Sequence, residues 1–557
     1  MDQSAAGTLQ LQNLVSPDIV NALNLLLKIT SSCRKGCIQM VQNSVGGHLT
    51  MTSTSSRLLQ SLSVSKPVIR LIATAVQGHL QHFSDGGHFV SMLTVLLSTK
   101  SMNLNVSNSY LTELYDRFLT IIVEDITADS SKINIDISSL KQMTNFVKTI
   151  SGRKPLCKLN PYDLDNFSKL LVQVFASYLP CEGRSGSWEE NIYIIPVEGL
   201  PVSNSELYQG LLLQGYQLPQ TAMNNVRKVN NQIPVAVVTV SMTGDTEEIM
   251  DAEYEIFNDL SEEKTVLSRI MKFCDRCAEL NVGVIFCQKV IHPSVKSYLY
   301  KQNILPVERL GSQMIPFILK LIGAQSLRSF TVSLSDIGHL DSIEHQTINK
   351  KSYLFLKNRE SPVATLMLTS DHEESVQELK TVCSSALHSM ERLAFSSYVL
   401  PGGGCWEMKT CFNLRKKVLS EMPSLVEEFY CSKSAILSAL DVVCKSLQNI
   451  AKTVVKDSEE GKTDCTYHHF WRVPKEVEEG EVICSCGIYC LENTELVDLD
   501  YVDIGNPVNK KLQEDYNSSV MKRTIVIDQL DMCVNAVNTS FLTANALLTT
   551  NLFICDS

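Results

Sequence analysis

Cysteine and histidine are the residue types whose clustering in this sequence first suggests chemistry. Near the C-terminal end lie Cys465, His468, His469, Cys484, Cys486 and Cys490. Thiolates and imidazoles bind Zn²⁺ in structural sites, four ligands at a time. The spacing Cys-x-Cys-x₃-Cys is irregular for such a site. A zinc site is therefore the minor interpretation, and cysteines and histidines without a metal are the major one.

A second cysteine pair, Cys274 and Cys277, has the Cys-x-x-Cys spacing of some metal and redox sites. The pair lies among apolar residues at helical spacing: Val266, Ile270, Phe273 and Leu280. Two cysteines one turn apart on such a stripe are typical of a buried helix face, so we interpret them as core residues. The sequence contains no Gly-x-Ser-x-Gly, His-Glu-x-x-His or complete P-loop motif.

The elements that would position reactive residues are helical at both ends of the chain. Apolar residues recur at helical spacing at 18–29, 64–81, 88–98 and 372–394. One apolar stripe predicts a closing helix with Ile527, Leu530, Val534, Val537, Phe541, Ala544 and Leu548. Two polar stretches, 456–481 and 505–522, are predicted to be loops or insertions.

The middle of the chain has a different pattern, which begins after Gly152. Strands are predicted at 192–199, 233–242, 351–357 and 362–369, and helices and strands alternate between 264 and 323. This alternation predicts an α/β domain with a central sheet. In the simplest architecture the two helical ends form one domain, and the α/β middle is inserted into it.

Composition and charge exclude several classes of function. The chain has 557 residues, 44% hydrophobic and 20% charged, and a formal net charge of -11. Such an acidic balance argues against a general nucleic-acid binder or an anionic-membrane binder. The N-terminal MDQSAAGTLQ lacks the features of a signal peptide, and the longest apolar run, 90–98, is too short to span a membrane. The 18 cysteines are then expected to be reduced thiols in the cytosol.

Several segments together carry a resemblance to a known family. Residues 284–291 (VIFCQKVI) resemble a VVFCQKGI strand, although His292-Pro293 replaces the usual acidic continuation. Further matches are 304–310, 322–324 (IGA) and 196–211 (PVEGLPVSNSELYQGL). With the helical ends around an α/β middle, they identify the chain as similar to the group II chaperonins of the TCP-1/cpn60 family. The combination of CQKVIHPS, GGGC-x-E and CGIY resembles the Bardet–Biedl chaperonin-like branch of that family.

The resemblance implies an α/β multidomain group II chaperonin fold. A helical equatorial domain would consist of residues 1–150 and 395–557. A small intermediate domain would consist of 151–212 and 358–394, and residues 213–357 would form the apical, partner-binding domain. The acidic stretch 243–263 takes the place of the helical protrusion that closes the ring in this family. Because the stretch is acidic and short, ordinary lid closure is not expected.

The resemblance also implies a site for ATP and Mg²⁺ in the equatorial domain. Residues 31–36 match the family's TLGPKG loop: Gly36 is kept, but Cys33 and Arg34 replace Gly-Pro. Residues 84–88 match GDGTT and keep Asp85 and Gly86, with Asp85 as the implied metal ligand. Gly87 replaces a Thr of the motif and is counted among the implied nucleotide contacts. Residues 402–407 match GGGA-x-E and keep Gly402, Gly403, Gly404 and Glu407. Each of these segments can also be interpreted without a nucleotide. Residues 34–35 would then be solvated basic residues, 85–87 a capped turn and 402–404 a tight turn.

Two carboxylates of the family's site are missing. Residues 52–55 match TNDG, with Thr54 in place of the acid, and the DAL motif reads Ser385-Ala386-Leu387. In the family that aspartate positions the attacking water, and a neutral serine cannot act as its base. We therefore expect no enzyme activity of consequence: ATP hydrolysis is predicted to be weak or absent, and binding of ATP and Mg²⁺ stays open.

For function, the resemblance implies a chaperonin-like assembly factor. Its partners would be other Bardet–Biedl chaperonin-like proteins and cytosolic chaperonin subunits, with which it would help to assemble the BBSome. The implied location is cytoplasmic, at the centrosome and ciliary base, with a nuclear fraction allowed. No nucleic acid and no membrane insertion are expected. Two alternatives stay open: an ATP-hydrolysing folding chaperone in a ring, and a scaffold that needs no nucleotide.

Overall fold

The structure, a computed structural model, describes most of the chain. It describes residues 9–12, 16–42, 49–62, 64, 66–128, 132–179, 187–216, 218–243, 262–454, 459–464, 469–474, 483–486, 502–503, 506–507, 526–550 and 553–556. Within these ranges no helix is long and apolar enough to cross a membrane.

Helices α1 to α16 of the described residues are Pro17–Arg34, Ser55–Ser61, Pro67–Phe83, Gly87–Ser101, Asn108–Ala128, Leu140–Ser151, Pro161–Tyr178, Gln220–Asn224, Glu262–Glu279, Pro293–Lys301, Ile315–Ile322, Glu373–Phe395, Cys405–Ser420, Met422–Phe429, Lys433–Lys452 and Leu530–Thr549. Strands β1 to β22 are Leu9–Gln12, Gln39–Gln42, Leu49–Thr52, Ile133–Asn134, Ile192–Glu198, Glu206–Tyr208, Leu211–Gln214, Ile233–Val238, Val284–Cys287, Leu305–Val307, Gly338–Leu340, Ser342–Ile348, Lys351–Lys357, Ala364–Ser370, Tyr398–Pro401, Glu459–Asp464, His469–Pro474, Ile483–Cys484, Val502–Asp503, Asn506–Pro507, Ile527–Gln529 and Phe553–Asp556.

The chain divides into two compact units. The end unit consists of Met1–Val172 and His372–Ser557, and the middle unit consists of Gln173–Asp371. The family resemblance predicts three domains with other boundaries, and those boundaries stay a prediction.

The end unit is built around helix α4. The sequence of α4 is apolar on all sides, and nearly all of its residues are buried. A helix with no polar face needs neighbours all around it, and α1, α3, α15 and α16 supply them. Helix α16 also packs against α5, where the rings of Tyr115 and Phe541 meet edge to face at 5.9 Å. Apolar burial thus joins helices from both ends of the chain.

Small sheets complete the end unit. Strand β15 lies between β21 and β4 and is antiparallel to both. This sheet brings together residues from three distant parts of the chain, at 133–134, 398–401 and 527–529. Strands β1 and β22 pair antiparallel, and β2 and β3 form a hairpin. The turn after β15 therefore lies close to Val526, which precedes β21.

The middle unit contains a four-stranded mixed sheet in the order β10-β9-β8-β11, in which only β11 is antiparallel. Every residue of β8 and β9 is buried, as expected for strands covered on both faces. Val235, Val237 and Phe286 share one apolar cluster with α11. Ala236, Val238 and Ile285 share another cluster with α9 and α10. Successive residues of β8 and β9 thus point to opposite faces of the sheet and contribute to two separate cores.

The observed elements correct several boundaries. The predicted strand 233–242 ends at Val238. Ile527 lies in β21, and the closing helix begins at Leu530, because residues 527–529 pair with β15. The polar stretch 456–481 contains the hairpin β16–β17. Most of 243–263 and of 505–522 lies outside the described residues, as do Gly487, Ile488 and Tyr489 of the CGIY motif.

The apolar faces of the predicted apical helices are core. Val295 and Leu299 of α10 are buried in one cluster of the middle unit, and Ile315 and Ile318 of α11 are buried in the other. These residues are therefore not available to bind a partner segment. Cys274 and Cys277 are also buried in the core, as expected.

Candidate functional site

A cleft in the end unit brings together distant residues, several of them predicted from the sequence. The space in and at the mouth of the cleft, including the part that is open solvent, measures about 930 Å³. Predicted residues that line it are Cys33, Arg34, Asp85, Gly86, Gly403 and Glu407. Lining residues that sequence reasoning did not single out include Arg153, Lys154, Trp406, Asp528 and Met532. Gly36, Gly87, Gly402, Gly404, Thr54 and Ser385 are not among the described lining residues.

An ion pair lies in the cleft. Arg34, in the last turn of α1, bonds through Nη2 to Oε1 of Glu407, in the first turn of α13, at 2.7 Å. The Arg34 guanidinium also lies 5.7 Å from the centroid of the Phe89 ring. Arg34, which the motif match predicts to stand in place of the family's proline, is therefore held by Glu407 and Phe89.

Of the carboxyl residues in the cleft, Glu407 is fully buried, and Asp528 and Asp85 are half-buried. Burial raises the pKa of Glu407 to about 7, although Arg34 opposes the shift. Its second oxygen, Oε2, is buried and accepts no hydrogen bond from the described residues. Burial likewise raises the pKa of Asp528, whose Oδ2 accepts a bond from Trp406 Nε1 at 3.1 Å. Desolvation thus favours the neutral form of both acids.

The Asp85 turn is tied to its own surroundings. Gly86 has φ +79° and ends the turn just before α4. Its N–H donates to Asp85 Oδ1 at 2.8 Å, and Nε2 of His79 bonds to the Asp85 carbonyl at 2.9 Å. A Cβ on Gly86 would lie 2.6 Å from Met532 Sδ. The turn geometry and this close approach both require glycine.

The other glycines of the predicted site are also packed against protein. A Cβ on Gly403 (φ +71°) would lie 2.4 Å from the Ser485 carbonyl oxygen, and one on Gly404 would lie 3.1 Å from Ala451 Cβ. Gly87 would meet Ser55 Oγ at 2.6 Å, and Gly402 would meet Asp528 Oδ2 at 2.9 Å. By contrast, a Cβ on Gly36 would meet no described atom within 4 Å.

A buried carboxylate that the sequence reading missed lies beside Thr54. Glu378 of α12 is fully buried and accepts bonds from Thr52 Oγ1 at 2.7 Å and from the N–H and Oγ of Ser53, both at 2.8 Å. Thr54 Oγ1 donates to it at 3.3 Å, and Arg57 Nη1 at 3.2 Å. So many donors make Glu378 an anchor between α12 and the 52–57 segment. A glutamate among the apolar positions of a predicted helix was the available signal.

Ser385 also bonds to the backbone. Its Oγ donates to the carbonyl oxygen of Ser84 at 2.9 Å, next to Asp85. This hydroxyl therefore ties α12 to the turn that holds Asp85. A hydroxyl in this role cannot accept a proton from water at neutral pH.

His88 has a structural role. Its Nε2 lies 3.0 Å from the Ser53 carbonyl oxygen, so Nε2–H donates. Its Nδ1 is buried and accepts no bond from the described residues. Burial lowers the pKa of His88 to about 4, and Lys154 and Arg34 add to the shift. The ring is therefore neutral over the physiological range.

We expect acid to destabilise the protein through His88. In the unfolded chain the imidazole titrates near 6.5, whereas in the folded chain it titrates near 4. Between these values only the unfolded chain binds the proton, so the stabilisation is present above pH 6.5 and is lost as pH falls. From pH 7 to pH 5 the loss is about 2 kcal/mol. Urea denaturation at both pH values checks this against His88→Gln, whose amide also donates to Ser53. The variant should lose about 2 kcal/mol less, and equal losses would contradict the role of His88.

The comparisons with known proteins agree with this architecture. A model of the TCP-1/cpn60 chaperonin family matches residues 30–556. The chain belongs to this family. It is similar to the molecular chaperone MKKS of Mus musculus, with 26% identity over 491 residues, 86% of this chain and 85% of the relative. MKKS of Homo sapiens is 24% identical over 487 residues, with the same coverage. Thermosome subunit alpha of Archaeoglobus fulgidus is 24% identical over 466 residues, 81% of each chain.

These matches confirm the predicted resemblance to group II chaperonins. They also confirm that the relatives include the McKusick–Kaufman chaperonin-like protein, MKKS, and so they confirm the branch that the motifs indicated. The chain is thus an MKKS-like chaperonin with a group II chaperonin fold.

Chaperonins of this family bind ATP with Mg²⁺, so the cleft can be tested for its fit to that group. A hydrolytic centre needs carboxylates for the metal and a base for the water. Here Glu407 is paired with Arg34, and Ser385 donates to a carbonyl. Glu378, the carboxylate beside Thr54, is surrounded by donors. Asp85 still lines the cleft, but Thr54 and Ser385 supply neither a second carboxylate nor a base. The described residues therefore do not fit a hydrolytic Mg²⁺–ATP centre.

Proposed function

We propose that this protein is a chaperonin-like chaperone that acts as an assembly factor and hydrolyses ATP weakly or not at all. The observation that supports weak or absent ATP hydrolysis is the hydrogen bond from Ser385 Oγ to the Ser84 carbonyl at 2.9 Å. In this proposal Ser385 corresponds to the family's catalytic aspartate, and its hydroxyl is a donor and not a base. The similarity to MKKS over 86% of the chain supports the role as a chaperonin-like assembly factor.

In this proposal the chain has the domain layout of a group II chaperonin. Residues 1–150 and 395–557 form the equatorial domain, 151–212 and 358–394 the intermediate domain, and 213–357 the apical domain that meets partners. Two observations support this layout: both chain ends lie in one compact unit, and the four-stranded mixed sheet lies in the other. A nucleotide that binds without turnover would contact Gly36, which has open space beside it, and the turn formed by Asp85, Gly86 and Gly87.

The proposed partners are other Bardet–Biedl chaperonin-like proteins, subunits of the cytosolic chaperonin and subunits of the BBSome, whose assembly the protein would assist. The proposed location is the cytoplasm, the centrosome and the ciliary base. The support is the similarity to MKKS and the motifs CQKVIHPS and GGGC-x-E.

Tagged purification from ciliated cells tests this proposal. The protein is expressed at low level, captured by its tag, and the co-eluting chains are identified by mass spectrometry. A tagged thermosome subunit alpha is the control bait, because it shares the family but comes from an archaeon. We expect chaperonin and BBSome subunits to be enriched over the control. Recovery of neither set would exclude the assembly function.

A further inference from the structure

We propose that Cys405, Cys484 and Cys486 form a site for a soft d¹⁰ cation, Zn²⁺ or Cu⁺. All three residues are buried, and their Sγ atoms lie within 4.8 Å of one another. The Sγ atoms of Cys405 and Cys484 are 3.1 Å apart, as are those of Cys484 and Cys486. Such a convergence of sulfurs in a core is the ligand set that thiophilic metals select.

The distances suit one shared ion. Metal–sulfur bonds of about 2.3 Å place ligand sulfurs roughly 4 Å apart, in either tetrahedral or trigonal geometry. The separations of 3.1 Å are somewhat shorter than this, and all lie within 4.8 Å. Shifts of less than about 1 Å would therefore bring all three sulfurs to bonding distance of one cation.

The backbone holds the two ligand segments in register. The N–H of Gly402 donates to the Val526 carbonyl at 2.8 Å, and the N–H of Val526 donates to the Cys486 carbonyl at 2.9 Å. The Ser485 carbonyl oxygen lies only 2.4 Å from where a Cβ on Gly403 would be. Although Cys405 and Cys484 are 79 positions apart, the Gly402–Val526–Cys486 connection fixes them side by side.

Cys405 is the first residue of α13, directly after Gly404. Binding the cation would displace one proton from each thiol. A bound ion would fasten residues 484–486 to the turn that carries Gly403 and Glu407 into the cleft.

The inference corrects the metal set considered from the sequence. Cys484 and Cys486 belonged to that set, but their described neighbour is Cys405, which no spacing pattern linked to them. Cys465, His468 and Cys490 lie outside the described residues. The ordinary alternative is three thiols packed as small apolar side chains. It predicts no metal affinity specific to these positions.

Metal binding by the full chain tests the inference. Protein purified with a phosphine reductant is depleted of metal and titrated with Zn²⁺, and anaerobically with Cu⁺, against a chelator of known affinity. Cys405→Ala and Cys484→Ala remove ligands while keeping apolar side chains. Cys411→Ala is the matched control, because Cys411 is also buried in α13 but outside the cluster. Size exclusion and thermal unfolding show that each variant is folded.

The parent protein is expected to bind about one equivalent of either Zn²⁺ or Cu⁺. The titration that shows binding identifies the ion. Each ligand variant should weaken that binding at least tenfold, whereas Cys411→Ala should not. Added metal should raise the unfolding temperature of the parent and not that of Cys405→Ala. The inference is overturned if neither ion binds. It is equally overturned if the ligand variants and Cys411→Ala bind as the parent does.

Discussion

Phosphate release from ATP–Mg²⁺ by the purified protein is expected to be at least about 100-fold slower than by a working group II chaperonin in the same buffer, because a general base contributes roughly 10²–10⁴-fold to rate. Ser385, which the motif match predicts to stand in place of the family's base, donates its hydroxyl to the Ser84 carbonyl. In addition, the Glu407 carboxylate in the cleft is paired with Arg34. A coupled phosphate-release assay at saturating ATP measures this directly.

Two variants make the same assay more specific. Asp85→Ala removes the carboxyl that the family would use for Mg²⁺, and Asp163→Ala removes a comparable carboxyl at the start of α7, outside the cleft. We expect both variants to release phosphate at the residual rate of the parent. Turnover comparable to that of a working chaperonin, abolished by Asp85→Ala and kept by Asp163→Ala, would show that the site is hydrolytic.

Glu378→Ala is expected to lower the free energy of unfolding of the end unit by about 3–5 kcal/mol. The carboxylate is fully buried, and its loss would remove the acceptor of the Thr52 hydroxyl and of the N–H and hydroxyl of Ser53 in a dry environment. Arg57 would lose one of its two carboxylate partners and keep Glu374. Chemical denaturation followed by circular dichroism measures the change.

The matched control for this variant lies on the same helix. Glu373 is exposed in the first turn of α12, where its charge lies beside the N-terminus of the helix. Glu373→Ala should therefore cost no more than about 1 kcal/mol. If the two variants were equally stable, the Glu378 network would not be the anchor that its hydrogen bonds indicate.

Much of the local structure followed from periodicity. The apolar run at 88–98 predicts a helix, and α4 is one, buried on every side. The alternation between 264 and 323 predicts an α/β arrangement, and β9 and β10 pair in parallel within the mixed sheet. These features depend on residues only a few positions apart, so local periodicity is enough to predict them.

The chemistry of the site depended on contacts that no local pattern encodes. Glu378 lies more than 320 positions from the residues that bond to it, and Arg34 lies 373 positions from Glu407. The motifs indicated that carboxylates were missing at 54 and 385. They did not indicate that Glu378 supplies a carboxylate beside Thr54. Similarly, Cys405 and Cys484 are neighbours only because β15 and Val526 bring their segments together.

The most direct test of the account is whether the protein's associations need ATP hydrolysis. Tagged protein is captured from ciliated-cell lysate that has been depleted of ATP with apyrase, and from matched lysate with ATP and Mg²⁺ maintained. The account predicts that chaperonin and BBSome subunits co-elute to the same extent from both lysates. Their loss on ATP depletion, together with ATP turnover by the purified chain, would contradict it and would identify a working ring chaperone instead.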